Sequence, residues 1–133
     1  GKYLTATKED LEEFRSVAGT NASANARLTS DIDMGGRWTP IAGHYSGTFD
    51  GAGHTISNYT ITECVTVKMG SGSYPSAGFF AALDSGASVR NLTVTGSVDI
   101  SSTDHAVGGI VGYNDGGAVE NCVNDGENVT AEA

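Results

Sequence analysis

A repeat of about thirty residues is the feature that most constrains the fold of this 133-residue chain. The segment GFFAALDSGASVRNLTVTGSV (78–98) aligns with GGIVGYNDGGAVENCVNDGENV (108–129). At an offset of 30, Val89 matches Val119, Asn91 matches Asn121, Leu92 matches Cys122 and Gly96 matches Gly126. A third copy, FDGAGHTISNYTI (49–61), matches Ile56 to Val89 and Asn58 to Asn91 at an offset of 33. Such periods are typical of architectures in which one unit cannot bury its apolar face alone.

Each copy combines short apolar runs, small residues at its corners and one asparagine at a fixed place, which indicates one coil of a parallel β-helix. Stacked strands lie about 4.8 Å apart, so equivalent residues form ladders. We therefore predict an all-β fold, a parallel β-helix of three to four coils, with Asn58, Asn91 and Asn121 stacked in an amide ladder at one turn. The alternative is a small β-sandwich with hairpins at NDGG and DSGAS. The sandwich is less favoured because hairpin turns do not require asparagine at one phase in three copies.

The only helical pattern lies near the N-terminus, over about residues 8–18. Thr7 and Asp10 have capping-box spacing, and Gly19 is placed to end the helix. One apolar stripe contains Leu11, Phe14, Val17 and Ala18. Solenoids need a covered end. Residues 1–27 are therefore predicted to form a capping helix and lead-in, and residues 28–133 the β-helix, within a single structural domain.

The charge balance argues against several classes of partner. The chain has 7 Lys and Arg against 16 Asp and Glu, a formal net charge of −9. Nucleic-acid phosphates and anionic lipid headgroups both attract clustered basic residues. No apolar run approaches the roughly 20 residues of a membrane span. We expect no nucleic-acid partner and no membrane insertion.

Residues 107–129 resemble the GLUG motif, a short repeat named for Gly-Leu-any-Gly. The core of the motif is Gly109-Ile110-Val111-Gly112, with isoleucine in the leucine position. Residues 77–98 look like a degenerate copy, and residues 28–58 are similar to the segment that commonly precedes such repeats in exported bacterial proteins. The resemblance implies a right-handed β-helix in a bacterial cell-surface or secreted protein of the adhesin type. It assigns no catalytic residues.

Carboxylates supply the metal-binding candidates. Asp31 and Asp33 are two residues apart and share one strand face, and with Asp50 they could offer oxygen ligands to calcium. The spacing lacks the acidic ladder and closing glutamate of a calcium loop. A turn-capping or solvated role is therefore favoured for these residues, and we expect no cofactor, with calcium as the candidate metal.

Catalysis would need a positioned acid/base pair or a nucleophile. Asp50 and His54 in FDGAGHTI could form such a pair, but the same stretch is typical of a tight turn before the strand at Ile56. The sequence contains no Gly-x-Ser-x-Gly elbow and no phosphate-binding loop. We expect that the chain is not an enzyme. The alternative is a fragment of a polysaccharide-active or protease-associated β-helix enzyme.

The two cysteines are expected to be free thiols. Cys64 and Cys122 are separated by an offset of 58, whereas the two repeat offsets, 33 and 30, add to 63. The cysteines therefore lie out of phase in the coil, too far apart for a disulfide. Cys122 takes the ladder position of Leu92, which predicts burial as a small apolar group.

Aromatic residues outside the ladder are the ligand-binding candidates. Trp38 and Tyr45 lie in RWTPIAGHYSG, and Tyr74 lies in GSGSYPSAG. Aromatic rings on loops can stack on sugars or anchor a protein partner. For Trp38 a plug beneath the N-terminal helix is favoured. We hypothesise a non-catalytic, extracellular or cell-surface module that acts in adhesion or as a stalk, with a host glycan or protein as its partner.

The C-terminal stretch, NDGENVTAEA, carries no capping signal. It contains no helical pattern and no proline, and no basic residue follows Arg90. An open coil would expose unpaired backbone groups and an apolar core end. We expect the parent protein to continue with more repeats or another domain, and the last coil to stack against a neighbouring molecule.

Overall fold

A computed structural model describes residues 2–100, 106–124 and 129–131 of the chain. Within these ranges there are seventeen strands and one helix. In chain order they are β1 (Lys2–Thr5), α1 (Lys8–Thr20), β2 (Asn25–Leu28), β3 (Ile32–Arg37), β4 (Ile41–Tyr45), β5 (Thr48–Asp50), β6 (Thr55–Ile61), β7 (Val65–Met69), β8 (Gly72–Ala77), β9 (Phe80–Leu83), β10 (Ser88–Arg90), β11 (Thr93–Val94), β12 (Ser97–Ile100), β13 (Ala106–Val107), β14 (Val111–Asn114), β15 (Ala118–Glu120), β16 (Val123–Asn124) and β17 (Val129–Ala131). The fold is therefore all-β, with one short helix near its start.

Three parallel sheets organise the fold. The first has the order β1-β2-β5-β10-β15, and the third has the order β14-β9-β4. The second has the order β16-β11-β6-β12-β17, and β3 also pairs with β6. The chain visits these sheets in the same order each time. It passes through β2, β3 and β4, then β5, β6 and β9, then β10, β11 and β14, and then β15 and β16.

The strand register confirms the repeat in its last two copies. Val89 pairs with Val119, and Phe80 pairs with Val111. The predicted alignment of the earlier copy is wrong. Val89 pairs with Phe49, further back along the chain than the predicted offset allows, and Ile56 pairs with Val94 rather than with Val89.

The hairpin formed by β7 and β8 explains this error. These two strands pair antiparallel between β6 and β9, and β13 pairs parallel with β8. The inserted hairpin lengthens one copy of the repeat, so an alignment based on a near-constant period shifts the register. The sequences DSGAS and NDGG, which the sandwich alternative made into hairpins, instead connect β9 to β10 and β14 to β15, which lie in different sheets.

Helix α1 begins as the sequence predicts and ends later. Thr7 and Asp10 form the capping box, with the Asp10 N–H donating to the Thr7 side chain at 3.1 Å. Gly19 does not end the helix, which continues to Thr20 and is capped by Asn21. The lead-in also contains β1, which precedes the helix and pairs with β2 in the first sheet.

One hydrophobic core joins α1 to the three parallel sheets. Phe14 is fully buried, and its ring centroid lies 6.0 Å from that of Tyr45 and 5.7 Å from that of Phe49. A second, smaller cluster holds the hairpin against β9 and contains Val67, Ala81 and Ala82, with Val65 and Tyr113 packed against it. The helix therefore covers part of the core, while the hairpin packs at its side.

Candidate functional site

A line of polar side chains crosses three strands of the first sheet, where each strand ends. The Asn121 side-chain amide donates to Oδ1 of Asn91 at 2.8 Å. The Asn91 amide in turn donates to Oδ1 of Asp50 at 3.2 Å. We call Asp50, Asn91 and Asn121 the polar ladder. It holds successive coil-like segments together through side chains rather than through the backbone alone.

Asn58 does not belong to the polar ladder, so the predicted three-asparagine ladder is wrong at this position. Asn58 is exposed in the middle of β6, a strand of the second sheet. It shares with Asn91 and Asn121 a positive φ, 60° against 55° and 51°. Asn58 therefore adopts the same left-handed backbone as Asn91 and Asn121. The third member of the polar ladder is Asp50 instead, because Asp50 follows Phe49, the residue that pairs with Val89.

The carboxyl group of Asp50 is held in its charged form by its neighbours. Burial acts to raise its pKa, but the Ala52 N–H, the Asn91 amide and the charges of Arg90 and Arg27 together lower the pKa below its ordinary value. The Ala52 N–H donates to Asp50 at 2.8 Å. These contacts account for the side chain as a turn cap and a member of the polar ladder.

The candidate pair of Asp50 and His54 is not brought together. His54 Nδ1 lies 3.2 Å from Oδ1 of Asp31, and the same oxygen accepts the Thr55 N–H at 2.9 Å. The Thr55 N–H and the His54 ring lower the pKa of Asp31. The backbone N–H of His54 donates to the backbone carbonyl of Gly51 at 2.9 Å and closes the tight turn that the sequence favours.

The three candidate calcium ligands do not form a cluster. The Asp31 carboxylate is hydrogen-bonded to His54 and Thr55. Asp50 lies in the polar ladder, and Asp33 is exposed on β3. Among the described residues, the group of metal-ligating side chains that does converge is His44, Asp84 and Asp115. Their ligand atoms all lie within 4.8 Å of one another.

The sequence held a signal for this cluster. Asp84 and Asp115 are separated along the chain by the same offset as the paired Phe80 and Val111, so they belong to equivalent positions of the repeat. His44 lies far from both aspartates along the chain, so spacing within one segment does not indicate its approach to them. The convergence depends on the stacking of β4, β9 and β14.

Two of the three aromatic residues predicted as ligand-binding candidates lie in the core. Trp38 is 2% exposed and Tyr45 is 1% exposed, so neither can contact a ligand, and that prediction is wrong for both. Trp38 stacks on Phe79 with centroids 4.8 Å apart, and the Arg15 guanidinium of α1 lies over its ring. The favoured plug beneath the helix describes Trp38 well.

Tyr45 has a buried partner for its hydroxyl group. The hydroxyl donates to Ala24 O at 2.7 Å, and the ring stacks on Phe80 with centroids 5.0 Å apart. Burial raises the pKa of Tyr45 above its ordinary value. Its position in a glycine-rich stretch suggested a loop, whereas it ends a core strand.

Tyr74 is the aromatic candidate that remains accessible, with 46% of its surface exposed. It lies on β8 opposite Val67 of β7, and its ring sits close over Gly72. Val67 is buried against Ala81 and Ala82, and the Lys68 carbonyl lies 2.6 Å from His44 Nε2. We call the exposed part of the Tyr74 ring on this hairpin the hairpin surface. It belongs to a hairpin that these two contacts hold against the rest of the fold.

The cysteines are free, as expected. Burial raises the pKa of both thiols, Cys64 and Cys122. Cys122 is partly buried, it directly precedes Val123, which pairs with Thr93, and its thiol is 3.4 Å from Val89 O. These features indicate packing groups rather than reactive nucleophiles. Gly126, which the repeat alignment matches to Gly96, lies outside the described residues.

No helix in the described part of the chain has the length and hydropathy that crossing a membrane requires.

The chain is 30% identical over 145 aligned residues to halomucin of Haloquadratum walsbyi (strain DSM 16790 / HBSQ001). That alignment covers 98% of the chain and 1% of halomucin. The relative is archaeal, so it does not confirm the bacterial source that the resemblance implied. No solved structure matches the chain significantly. Residues 103–130 match the family model of the GLUG motif, and the chain therefore carries this motif where its repeat indicated it.

Proposed function

We propose that the chain is a non-catalytic module of an extracellular surface protein, built as a right-handed parallel β-helix. The observation that carries the proposal is the cyclic order in which the chain visits three parallel sheets, together with the GLUG match at residues 103–130. A chain that returns to each sheet one strand further along builds a stack. Each added segment lies about 4.8 Å from the previous one.

The interior of the proposed stack supports this reading. Ala26, Phe49 and Val89 follow one another in register in the first sheet, and Val119 continues the row. The first three of these side chains are buried. Apolar rows that run perpendicular to the strands are what a solenoid buries in place of a globular core. Helix α1 would then serve as the cover of one end, with Leu11 and Phe14 fully buried beneath it.

A surface location is supported by the likeness to halomucin, a surface protein. The net charge of −9 also suits an exported protein that must stay dispersed. The chain spans about 1% of that relative's length, so adhesion, stalk formation and any partner of a longer protein are part of the proposal rather than of the comparison.

Within this module, the hairpin surface is the proposed contact for a neutral glycan. Tyr74 presents an exposed ring on a strand pair that is anchored through buried Val67 and through the Lys68 carbonyl. Aromatic rings offer sugars an apolar face for stacking without a large entropy cost. The acidic chain disfavours acidic sugars, since like charges repel.

Screening the chain on a glycan array, beside polysaccharide hydrolysis assays, tests the proposal. We expect binding of neutral glycans that is lost in Tyr74→Ala and kept in Tyr3→Ala, which removes another exposed tyrosine, one that lies on β1. Circular dichroism should show that both variants are folded. Binding that survives Tyr74→Ala would contradict the role of the hairpin surface. Cleavage of a polysaccharide that Asp50→Asn abolishes would instead support the enzyme alternative.

A further inference from the structure

We propose that His44, Asp84 and Asp115 form a binding site for a divalent transition-metal ion, with Zn²⁺ as the best fit. The three residues come from the ends of neighbouring strands of the third sheet, and their ligand atoms lie within 4.8 Å of one another. This site is independent of the proposed glycan contact, which uses a different feature of the hairpin, its exposed ring.

The backbone fixes the two aspartates at successive rungs of the sheet. The Asp84 N–H donates to Tyr45 O at 2.9 Å, and the Asp115 N–H donates to Leu83 O at 2.8 Å. Each aspartate follows directly on a paired strand residue, Leu83 or Asn114, and these two pair with each other. The carboxylates are therefore brought together by strand register rather than by a mobile loop.

His44 is oriented by a partner outside the cluster. Its Nε2 atom lies 2.6 Å from the Lys68 carbonyl oxygen on the hairpin. A carbonyl oxygen can only accept a hydrogen bond, so Nε2 carries the hydrogen and the neutral ring keeps its lone pair on Nδ1. Histidines that bind metals almost always donate their other N–H to a carbonyl, a carboxylate or a water in this way. The Lys68 contact thus prepares the imidazole as a ligand.

The electrostatics also favour a bound cation. Like charges at neighbouring positions of adjacent strands destabilise a sheet. The ion pairs of the described residues join Arg37 to Glu63 and His54 to Asp31, so neither carboxylate of the cluster is paired with a lysine or arginine. A divalent ion between Asp84 and Asp115 would replace this repulsion with attraction.

The donor set selects the class of metal. One imidazole nitrogen and two carboxylate oxygens suit Zn²⁺, which takes four ligands at about 2.0–2.2 Å and can keep water in the fourth position. Calcium prefers six to eight oxygen ligands, and magnesium holds water and oxygen in octahedral geometry. His44 and Asp84 are half-buried and Asp115 is exposed, so an ion can enter from solvent.

A metal at this point would link β4, β9 and β14, and through Lys68 it would also hold the inserted hairpin. Titration of the metal-stripped, tag-free chain with ZnCl2 in a calorimeter tests the site. We expect one ion per chain and a rise in melting temperature that saturates with Zn²⁺. Loss of a ligand in His44→Ala, Asp84→Asn or Asp115→Asn should weaken binding by at least the roughly 10–100-fold that loss of an outer-shell partner costs.

His54→Ala is the matched control, because His54 also lies beside an aspartate but outside the cluster. This variant should bind Zn²⁺ as the unaltered chain does. Equal binding in the unaltered chain and in Asp84→Asn would overturn the proposal, as would loss of binding in His54→Ala or a preference for Ca²⁺ over Zn²⁺.

A substitution can also disturb the fold, so a readout on the unaltered chain completes the test. Zn²⁺ should shift the ¹⁵N resonance of His44 Nδ1 while Nε2 stays protonated. A His44 ring whose nitrogen resonances do not respond to saturating Zn²⁺ would contradict the site even if the variants proved unstable.

Discussion

The side-chain amide of Asn121 donates a 2.8 Å hydrogen bond to the side-chain oxygen of Asn91, in the preceding copy of the repeat. Both residues have positive φ, 51° and 55°, and the Asn91 amide continues the row to Asp50. Asparagine tolerates this left-handed backbone better than most residues because its short polar side chain can bond locally. One residue type therefore serves two purposes, forming the turn and joining the turn to its neighbour.

Replacement of Asn91 by alanine should destabilise the fold through both of these roles. The left-handed backbone costs an alanine about 1–2 kcal/mol. The two lost side-chain hydrogen bonds should add about 1 kcal/mol each to the loss in free energy of unfolding. Urea denaturation followed by circular dichroism measures the sum.

Asn58→Ala is the control for that experiment, because Asn58 has a φ of 60° but lies outside the polar ladder. It should lose only the backbone contribution. If Asn58→Ala and Asn91→Ala cost the same free energy, the polar ladder contributes nothing to stability.

Phe14→Ala should be among the most damaging single changes. Its ring is fully buried and lies close to the rings of Tyr45 and Phe49. Removing a buried phenylalanine costs about 3–5 kcal/mol through lost transfer free energy and the cavity left behind. Thermal and urea denaturation should show the loss, while Ser16→Ala on the exposed side of α1 should stay within about 0.5 kcal/mol of the parent. A mild effect of Phe14→Ala would mean that α1 does not cover the core.

Gly51→Ala should destabilise the fold for a steric reason. A β-carbon at position 51 would lie 2.4 Å from the Asn91 carbonyl oxygen and 2.6 Å from Leu92 Cα. Both are backbone atoms, so the neighbouring strand would have to move, and such overpacking costs about 1–3 kcal/mol. Gly19→Ala is the comparison, because Gly19 has open space around it and, like Gly51, no positive φ. If Gly51→Ala were as stable as Gly19→Ala, the close approach at Gly51 would be absent in solution.

Acid should weaken the polar ladder. The pKa of Asp50 lies below its ordinary value in the folded chain, so the contribution of this carboxylate is present above the unfolded pKa, near 4. It is lost as the pH falls through the lower folded pKa. Urea denaturation between pH 2 and pH 6 should therefore show a steeper decline for the parent chain than for Asp50→Asn. Identical pH profiles would contradict this assignment.

Local signals in the sequence predicted the elements that depend on near neighbours. The capping box of Thr7 and Asp10 fixed the start of the helix, and the pairing of Val89 with Val119 followed from a repeat without insertion. The error at Asn58 arose because the β7–β8 hairpin lengthens one copy, and periodicity alone does not reveal where an insertion begins.

The candidate sites show the same division between local and distant information. Tyr74 lies in the glycine- and serine-rich stretch GSGSYPSAG, whose composition predicted exposure, and it is accessible on β8. The burial of Trp38 and Tyr45 depends on Phe79 and Phe80, which lie far along the chain. His44 meets Asp84 and Asp115 through strand stacking, and no spacing within one segment encodes that meeting.

The parallel stacking of repeat copies is the central claim, and a disulfide cross-link tests it most directly. Arg90 pairs with Glu120 on neighbouring parallel strands, and both side chains are exposed. Strand spacing of about 4.8 Å lies within the Cα separation that a disulfide spans. In a Cys64→Ser/Cys122→Ser background, the double variant Arg90→Cys/Glu120→Cys should form an intramolecular disulfide rapidly on oxidation. The pair Arg90→Cys/Ala118→Cys, displaced diagonally by about 7–8 Å, should not. Equal cross-linking of both pairs, or none in either, would contradict the stack.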